Sequence, residues 1–219
     1  MLDCSSLEAG LLHSFEQAQG RASPYPHWLL TKLLPESVID DICALPVAAP
    51  EISDTLGRRE THNSTRYFFG THEQATSPVC AALATSLQGR ACVEALQKLT
   101  STTLSRSFLR IEYCQDVNGF WLEPHTDIGA KFFTMLIYLN DPPSGEDWGT
   151  DIYETPTRHL GTAPSGRNQG LIFIPGQKSW HGFAKRPITG VRRSLIINYV
   201  TPEWRARHEL AFNQTPIMS

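Results

Sequence analysis

The chain lacks any apolar run long enough to cross a bilayer: its longest, such as Phe132 to Leu139, fall far short of the about 20 residues a spanning helix needs. The opening residues, MLDCSSLEAG, carry neither the basic patch nor the long apolar stretch of a secretory signal. Charge is scarce at 19%, and the net charge of −3 gives no basic footprint for nucleic acid or an anionic membrane surface. Cysteine is unpatterned. The five thiols (Cys4, Cys43, Cys80, Cys92 and Cys114) are odd in number, and no two are separated by only two residues. Neither a disulfide framework nor a cysteine zinc site is expected, so the reducing cytoplasm is the expected compartment. Repeats and low-complexity tracts are missing as well. What is present, 41% hydrophobic residues in a chain of 219, suits one soluble domain around one core.

Along that chain, Leu7, Leu11, Leu12 and Phe15 recur at helical spacing and predict a first amphipathic helix. Arg21 to Pro26 reads as a connector and His27 to Leu34 as a strand. Pro35 then opens a helix that presents Val38, Ile39, Ile42 and Leu45, with Pro46 as its stop. Ala49 to Thr65 is polar and turn-rich, a mobile surface loop, and Pro78 to Thr100 is helical with a break at Gly89. The texture changes at Phe108. Short apolar runs now alternate with Gly, Pro and Asp clusters: Phe108–Cys114, Phe132–Leu139, Asp151–Glu154, Leu171–Ile174 and Arg192–Val200. No helical pattern separates them, which excludes parallel βαβ units and predicts a mainly β fold with flanking N-terminal helices, an antiparallel barrel or sandwich of the jelly-roll or cupin-like class. The expected organisation is one domain over 1–219: a helix-rich part at 1–107, a β core at 108–200 and a C-terminal tail at 201–219.

His125-Thr126-Asp127 is the first candidate for chemistry, because residues two apart on an extended backbone project to one side. Alone it means little: eight histidines and 22 acids give about 0.8 such pairs by chance. Its position just before the most strand-like run gives it weight, and so does His181, which follows the strand Leu171–Ile174 and a Pro175-Gly176 turn. Two histidines and a carboxylate form a facial triad that leaves positions open on non-haem Fe(II). A structural zinc site is more often closed by four ligands, usually including cysteine, and no cysteine lies within ten residues of this cluster. Arg192-Arg193-Ser194 then opens the last strong strand. Arg192 and Ser194 share a face; a buried arginine needs an anion, and a carboxylate with a serine hydroxyl alongside is a natural partner. Arg193 points the other way, as a solvated or lid-facing charge.

The order His125-x-Asp127, His181, Arg192-x-Ser194 resembles the Fe(II)/2-oxoglutarate-dependent dioxygenases, whose fold is the double-stranded β-helix. Ile137-Tyr138-Leu139-Asn140 followed by Trp148-Gly149, Ile172-Phe173-Ile174-Pro175 and Pro187-Ile188-Thr189-Gly190 are similar to the prolyl-hydroxylase-like branch, as is the segment Pro26–Leu45. The resemblance implies that His125, Asp127 and His181 hold iron. It implies that Arg192 receives the distal carboxylate of 2-oxoglutarate with help from Ser194 and Tyr138, and that dioxygen is consumed with release of succinate and carbon dioxide. It departs from the pattern where a Gly-Gly pair is often found, which reads Gly149-Thr150 here, and in a slightly long interval from His181 to Arg192, which keeps Arg193 as the second choice. The presence of Asp127 favours hydroxylation over halogenation.

Most other residues have plainer readings. Tyr138 divides evenly between packing and cosubstrate contact, Tyr113 faces the cavity, and Trp180 packs. Trp121, Glu123, Lys131, Trp148 and Asp151 stand near the expected mouth, with Arg66 and Tyr67 reaching it from the N-terminal loop. His159 is the rival third ligand, in a polar loop. His13, His27, His62, His72 and His208 lack a metal-like neighbourhood, and Arg205 with Arg207 forms a solvated face. The expected substrate is a small molecule, an amino acid or a biosynthetic intermediate, rather than a nucleic acid or a membrane. A peptide or protein side chain, a cupin-like metal enzyme needing no 2-oxoglutarate, and a binding module without turnover are the alternatives.

Overall fold

The computed structural model describes residues 4–58, 66–141 and 147–218. The elements α1 (Cys4–Glu16), β1 (Gln19–Arg21), β2 (His27–Thr31), α2 (Glu36–Cys43), β3 (Tyr67–Phe68), α3 (Thr71–Thr76), α4 (Pro78–Gln88) and α5 (Arg90–Thr100) come first. They precede β4 (Phe108–Asp116), β5 (Leu122–His125), β6 (Lys131–Tyr138), β7 (Asp151–Thr155), β8 (Arg158–Thr162), β9 (Gln169–Phe173), β10 (His181–Phe183) and β11 (Arg192–Val200). Gly89 separates α4 from α5 as the sequence predicts, and the break lets the two helices turn against α1. Of the loop predicted at Ala49–Thr65, the described part ends at Arg58, and it is tethered: Thr55 is fully buried and hydrogen-bonds both the carbonyl and the amide of Trp121. The rest of that loop, His62 included, lies outside the described residues.

The strands form two antiparallel sheets, one of seven in the order β1-β2-β9-β6-β11-β4-β3 and one of four in the order β5-β10-β7-β8. The larger sheet is covered on both sides, which is why β4, β6 and β11 are buried almost end to end instead of alternating buried and exposed. Its two faces nonetheless differ. One carries Leu109, Ile111, Tyr113, Phe133, Met135, Ile137, Leu195, Ile197 and Tyr199, which merge with Leu7, Leu11, Ile39, Leu83 and Leu96 of the helices in the main core. The other face is set by the register in which Arg192, Ser194, Ile196 and Asn198 stand opposite Asp116, Cys114, Glu112 and Arg110. On the far side of β11, Ser194, Ile196 and Asn198 stand opposite Tyr138, Leu136 and Thr134 of β6. This face, polar for a buried surface, looks toward the smaller sheet. The expectation of a mainly β fold with N-terminal helices is met, the helices lying against the apolar face of the larger sheet.

The segment after β11 returns to β4. Leu210 bridges Arg110, and the amides of Ala211 and Ile217 bond the carbonyls of Leu109 and Ser107. A short 3₁₀ turn, Arg207–Glu209, thereby comes to rest beside the polar face.

Candidate metal centre and its cavity

β5 ends in His125 and β10 begins with His181, and the two residues are direct partners in the smaller sheet. Gly182 permits that approach: a Cβ there would stand 2.9 Å from the Leu122 carbonyl oxygen and 3.2 Å from that of Glu123. The imidazole centres are 4.4 Å apart. Nδ1 of His125 faces the Glu123 carbonyl at 2.8 Å, and Nδ1 of His181 faces the Ser179 carbonyl at 2.9 Å. A carbonyl only accepts, so each Nδ1 carries the hydrogen and each Nε2 presents its lone pair, the tautomer a metal ligand needs. Burial depresses the His181 pKa to about 4, against an opposing pull from Asp127, which keeps the ring neutral.

Asp127 completes the group, and the three ligand atoms lie within 4.8 Å of one another; among the described residues no other cluster of this kind occurs. Burial opposes ionisation of Asp127, but the Lys131 ammonium, the neighbouring His181 and bonds from Lys131 and Thr134 prevail and hold its pKa down to about 2. Lys131 Nζ donates to Oδ1 at 2.6 Å and Thr134 Oγ1 to Oδ2 at 2.9 Å. Two imidazoles at the ends of paired strands and one ionised carboxylate on the loop that follows β5 fit a divalent metal such as Fe(II).

The three residues open on a cavity of about 450 Å³ lined by both sheets. Toward one end lie Leu136, Phe173, Phe183 and Ile196, then Thr150 and Arg192. Arg192 is buried. Its Nε donates to the Trp148 carbonyl at 2.6 Å, Nη1 pairs with Asp116, and the guanidinium carbon sits 4.6 Å from the centre of the Phe183 ring. Ser194 and Tyr138 are fully buried beside it, although neither is among the residues that line the cavity. Ser194 Oγ has no hydrogen-bond partner among the described residues. Tyr138 Oη donates to Thr150 Oγ1 at 2.9 Å and accepts from the Thr150 amide at 3.0 Å. Thr150, where the resemblance led one to expect glycine, is thus what engages Tyr138. Gly149 keeps its place because a Cβ there would collide with the Ala163 carbonyl.

Several expectations are corrected. Arg193 does face away from Arg192, but it is half-buried beside Tyr113 rather than solvated, and Tyr113 belongs to the helix-packed core rather than to the cavity. Asp151 is no mouth residue: it is fully buried, accepting from Thr162 Oγ1 and the Ala184 amide and pairing with Arg186. Trp148 is buried and contributes its carbonyl, and Trp121 is held by Asp54. His159 lies on β8 and contacts Asp151, away from the triad. Glu123, Lys131 and Arg66 do line the cavity. Arg110, Glu112, Asn198, Trp204 and Glu209 were not singled out. The first three carry a signal, polar residues alternating with apolar ones inside buried strands, whereas Trp204 and Glu209 arrive from the tail through a long-range return with no local mark.

No family model matches the chain, and no curated protein matches it by sequence. Solved structures do. A prolyl 4-hydroxylase from Phytophthora capsici superposes with a TM-score of 0.59 at 13% identity, over 94% of this chain and 68% of that one. A Pseudomonas putida prolyl-4-hydroxylase gives 0.54 at 13% identity over 89% and 92% of the two chains. A Trichoplax adhaerens prolyl hydroxylase, solved with a hypoxia inducible factor peptide fragment, gives 0.55 at 11% identity over 93% of each. Across nearly its whole length, then, this chain has the fold of the prolyl hydroxylases.

Proposed function

We propose that the protein is an Fe(II)- and 2-oxoglutarate-dependent oxygenase that hydroxylates a C–H bond of a small molecule. The observation that carries this reading is the convergence of His125, Asp127 and His181 within 4.8 Å at a cavity that also holds the buried Arg192. Bound Fe(II), with 2-oxoglutarate and dioxygen, supplies the oxidising chemistry: one oxygen atom enters the substrate C–H bond, the other enters succinate, and carbon dioxide leaves.

The chain's own residues position and insulate. His125 and His181 offer Nε2 lone pairs, and the backbone carbonyls on their Nδ1–H groups fix the ring planes. Asp127 supplies the negative ligand, oriented by Lys131 and Thr134. Arg192, clamped by Trp148 and Asp116, is the cation for the distal carboxylate of the cosubstrate, and the unpartnered Ser194 hydroxyl is the donor beside it. Tyr138 supports this end through Thr150. Arg193 does not compete for the role, since it lies on the opposite face. Leu136, Phe173, Phe183 and Ile196 exclude water around the metal. A peptide side chain is the second reading, supported by the peptide bound to the Trichoplax protein.

Anaerobic addition of 2-oxoglutarate to the ferrous protein should produce a visible charge-transfer absorption, and admission of air with substrate should produce succinate. His125→Ala and Asp127→Ala should lose iron binding, while Arg192→Ala should weaken 2-oxoglutarate. Metal binding with no spectral response to 2-oxoglutarate would favour a cupin-like enzyme that needs no cosubstrate.

A further inference from the structure

Three neighbouring strands of the larger sheet each place one polar residue in a single cross-strand row. Asn198 of β11 stands opposite Arg110 of β4 on one side and Thr134 of β6 on the other. Each of the three is 3% exposed or less. Buried polar groups are costly unless bonded, and a buried ion pair is often no more stabilising than apolar residues of the same volume. Stability alone therefore gives no reason for the row. It is bonded from end to end: Arg110 Nη1 donates to Asn198 Oδ1 at 3.1 Å, Asn198 Nδ2 to Thr134 Oγ1 at 3.0 Å, and Thr134 Oγ1 to Asp127 Oδ2 at 2.9 Å. One end of the row is thus a metal ligand.

The other end is held by the C-terminal tail. Arg110 Nε donates to Glu209 Oε2 at 2.6 Å, and Arg110 Nη2 donates to Glu112 Oε2 at 2.8 Å. A guanidinium is planar and rigid, so fixing Nε and Nη2 settles where Nη1 points. The rings of Phe68 and Trp204 are centred 4.7 and 5.4 Å from its carbon. Glu209 reaches this place because the tail returns to β4. Leu210 bridges Arg110, the Ala211 amide bonds the Leu109 carbonyl, and Gln74 Nε2 donates to the Ala211 carbonyl at 2.6 Å.

The hydrogen bonds of the row all run one way. Arginine only donates, so Asn198 turns Oδ1 toward it; the Phe133 carbonyl, 3.4 Å from Nδ2, holds the same orientation. Thr134 then accepts from Asn198, and its only hydrogen is left for Asp127. If Arg110 swung off Asn198, the amide would be free to turn over and take that hydrogen. The Thr134 lone pairs would then face an ionised carboxylate. We infer that Glu209 is a positioning residue for the metal centre: by holding Arg110 it sets the direction of the row, and with it the orientation of Asp127. The C-terminal tail is thereby a working part of the site.

This inference rests on the reading of His125, Asp127 and His181 as metal ligands, and the experiment separates the two. The full-length, metal-free chain is titrated with Mn(II), and the visible absorption of the Co(II)-loaded protein reports ligand geometry. Glu209→Ala should shift the Co(II) absorption and lower the Mn(II) affinity about fivefold, somewhat less than the about tenfold usual when a group touching a metal ligand is removed. Glu209→Gln, which loses the charge but keeps an oxygen for Arg110 Nε, should restore most of that affinity. In a Thr134→Val background, where the row is already cut, Glu209→Ala should have no further effect on it. Asn198→Leu cuts the row without touching the tail, and should shift the Co(II) absorption in the same direction as Glu209→Ala. Should Asn198→Leu fail to fold, the Glu209 series carries the test, since that side chain is partly open at 15% exposure. A loss that Glu209→Gln does not repair, or that is equal in both backgrounds, marks a through-space effect of charge and overturns the inference. Unchanged affinity in Glu209→Ala, or an unchanged Co(II) absorption in folded Asn198→Leu, overturns it as well. All of these outcomes leave the metal centre standing. A parent chain that binds neither Mn(II) nor Co(II) overturns the metal centre and the inference with it.

Discussion

Thr134 has a single hydroxyl and two duties: it accepts from Asn198 Nδ2 and donates to Asp127 Oδ2. The direction is fixed from outside, because Arg110 can only donate, so Asn198 must turn its carbonyl oxygen to Arg110 and its amide to Thr134. Thr134→Val keeps the shape and deletes both bonds. It should lower the affinity of the metal-free protein for Mn(II) or Fe(II) about tenfold, and Thr134→Ser should restore most of it; such losses are usual when the group that orients a metal ligand is removed. Equal affinity in Thr134→Val and the parent, by metal titration, would mean that Lys131 alone orients Asp127. At this scale the sequence was informative where neighbours in the chain share a task. His125 and Asp127 stand two apart, as do Arg192 and Ser194, and both spacings are readable on an extended backbone. Thr134, Asn198 and Glu209 lie on different strands or in the tail, and their meeting depends on a register that no local pattern encodes.

Among the elements, the strands that carry apolar runs, β7 included, were legible, and β5, β8 and β10 were not. β4, β6, β9 and β11 announce themselves as apolar runs, with boundaries displaced by only one or two residues. β5 is Leu-Glu-Pro-His and β10 is His-Gly-Phe, too short and too rich in proline and glycine to show a period of two. Yet these two bring the histidines together. β8 was likewise hidden in a polar stretch and is exposed over most of its length. The pairing of β5 with β10 depends on Gly182, since any Cβ there would press on backbone oxygens rather than on a yielding side chain. Gly182→Val should therefore cost about 1–3 kcal/mol of stability in denaturant unfolding. It should also weaken metal binding by spreading the two imidazoles. Unchanged metal affinity in a folded Gly182→Val protein would show that the loops, not the strand pair, set the distance between His125 and His181.

For the molecule as a whole, the division of the larger sheet into an apolar face under the helices and a polar face over the cavity makes stability sensitive to acid. The metal-free protein keeps His181 neutral in the fold, with a pKa of about 4 against 6.5 for the unfolded side chain. An unfolded chain thus binds a proton in this window that the folded chain refuses. The corresponding stabilisation is fully present above pH 6.5 and is lost as pH falls toward 4, and it amounts to roughly 3 kcal/mol. Asp127 acts lower on the scale: its pKa of about 2, against 3.8 unfolded, gives stability that is present above 3.8 and disappears as pH falls through 2. Asp151, whose carboxyl burial would raise but whose bonds from Arg186, Ala184 and Thr162 lower further, contributes with the same sign. Urea unfolding of the metal-free protein should therefore show stability declining from pH 6.5 downward. In His181→Gln the upper part of that decline, between 6.5 and 4, should be missing while the acid limb below 4 remains. A parent protein with constant stability from pH 7 to 4 would contradict the burial of His181 as a neutral ring, and with it the state in which its Nε2 is ready for a metal.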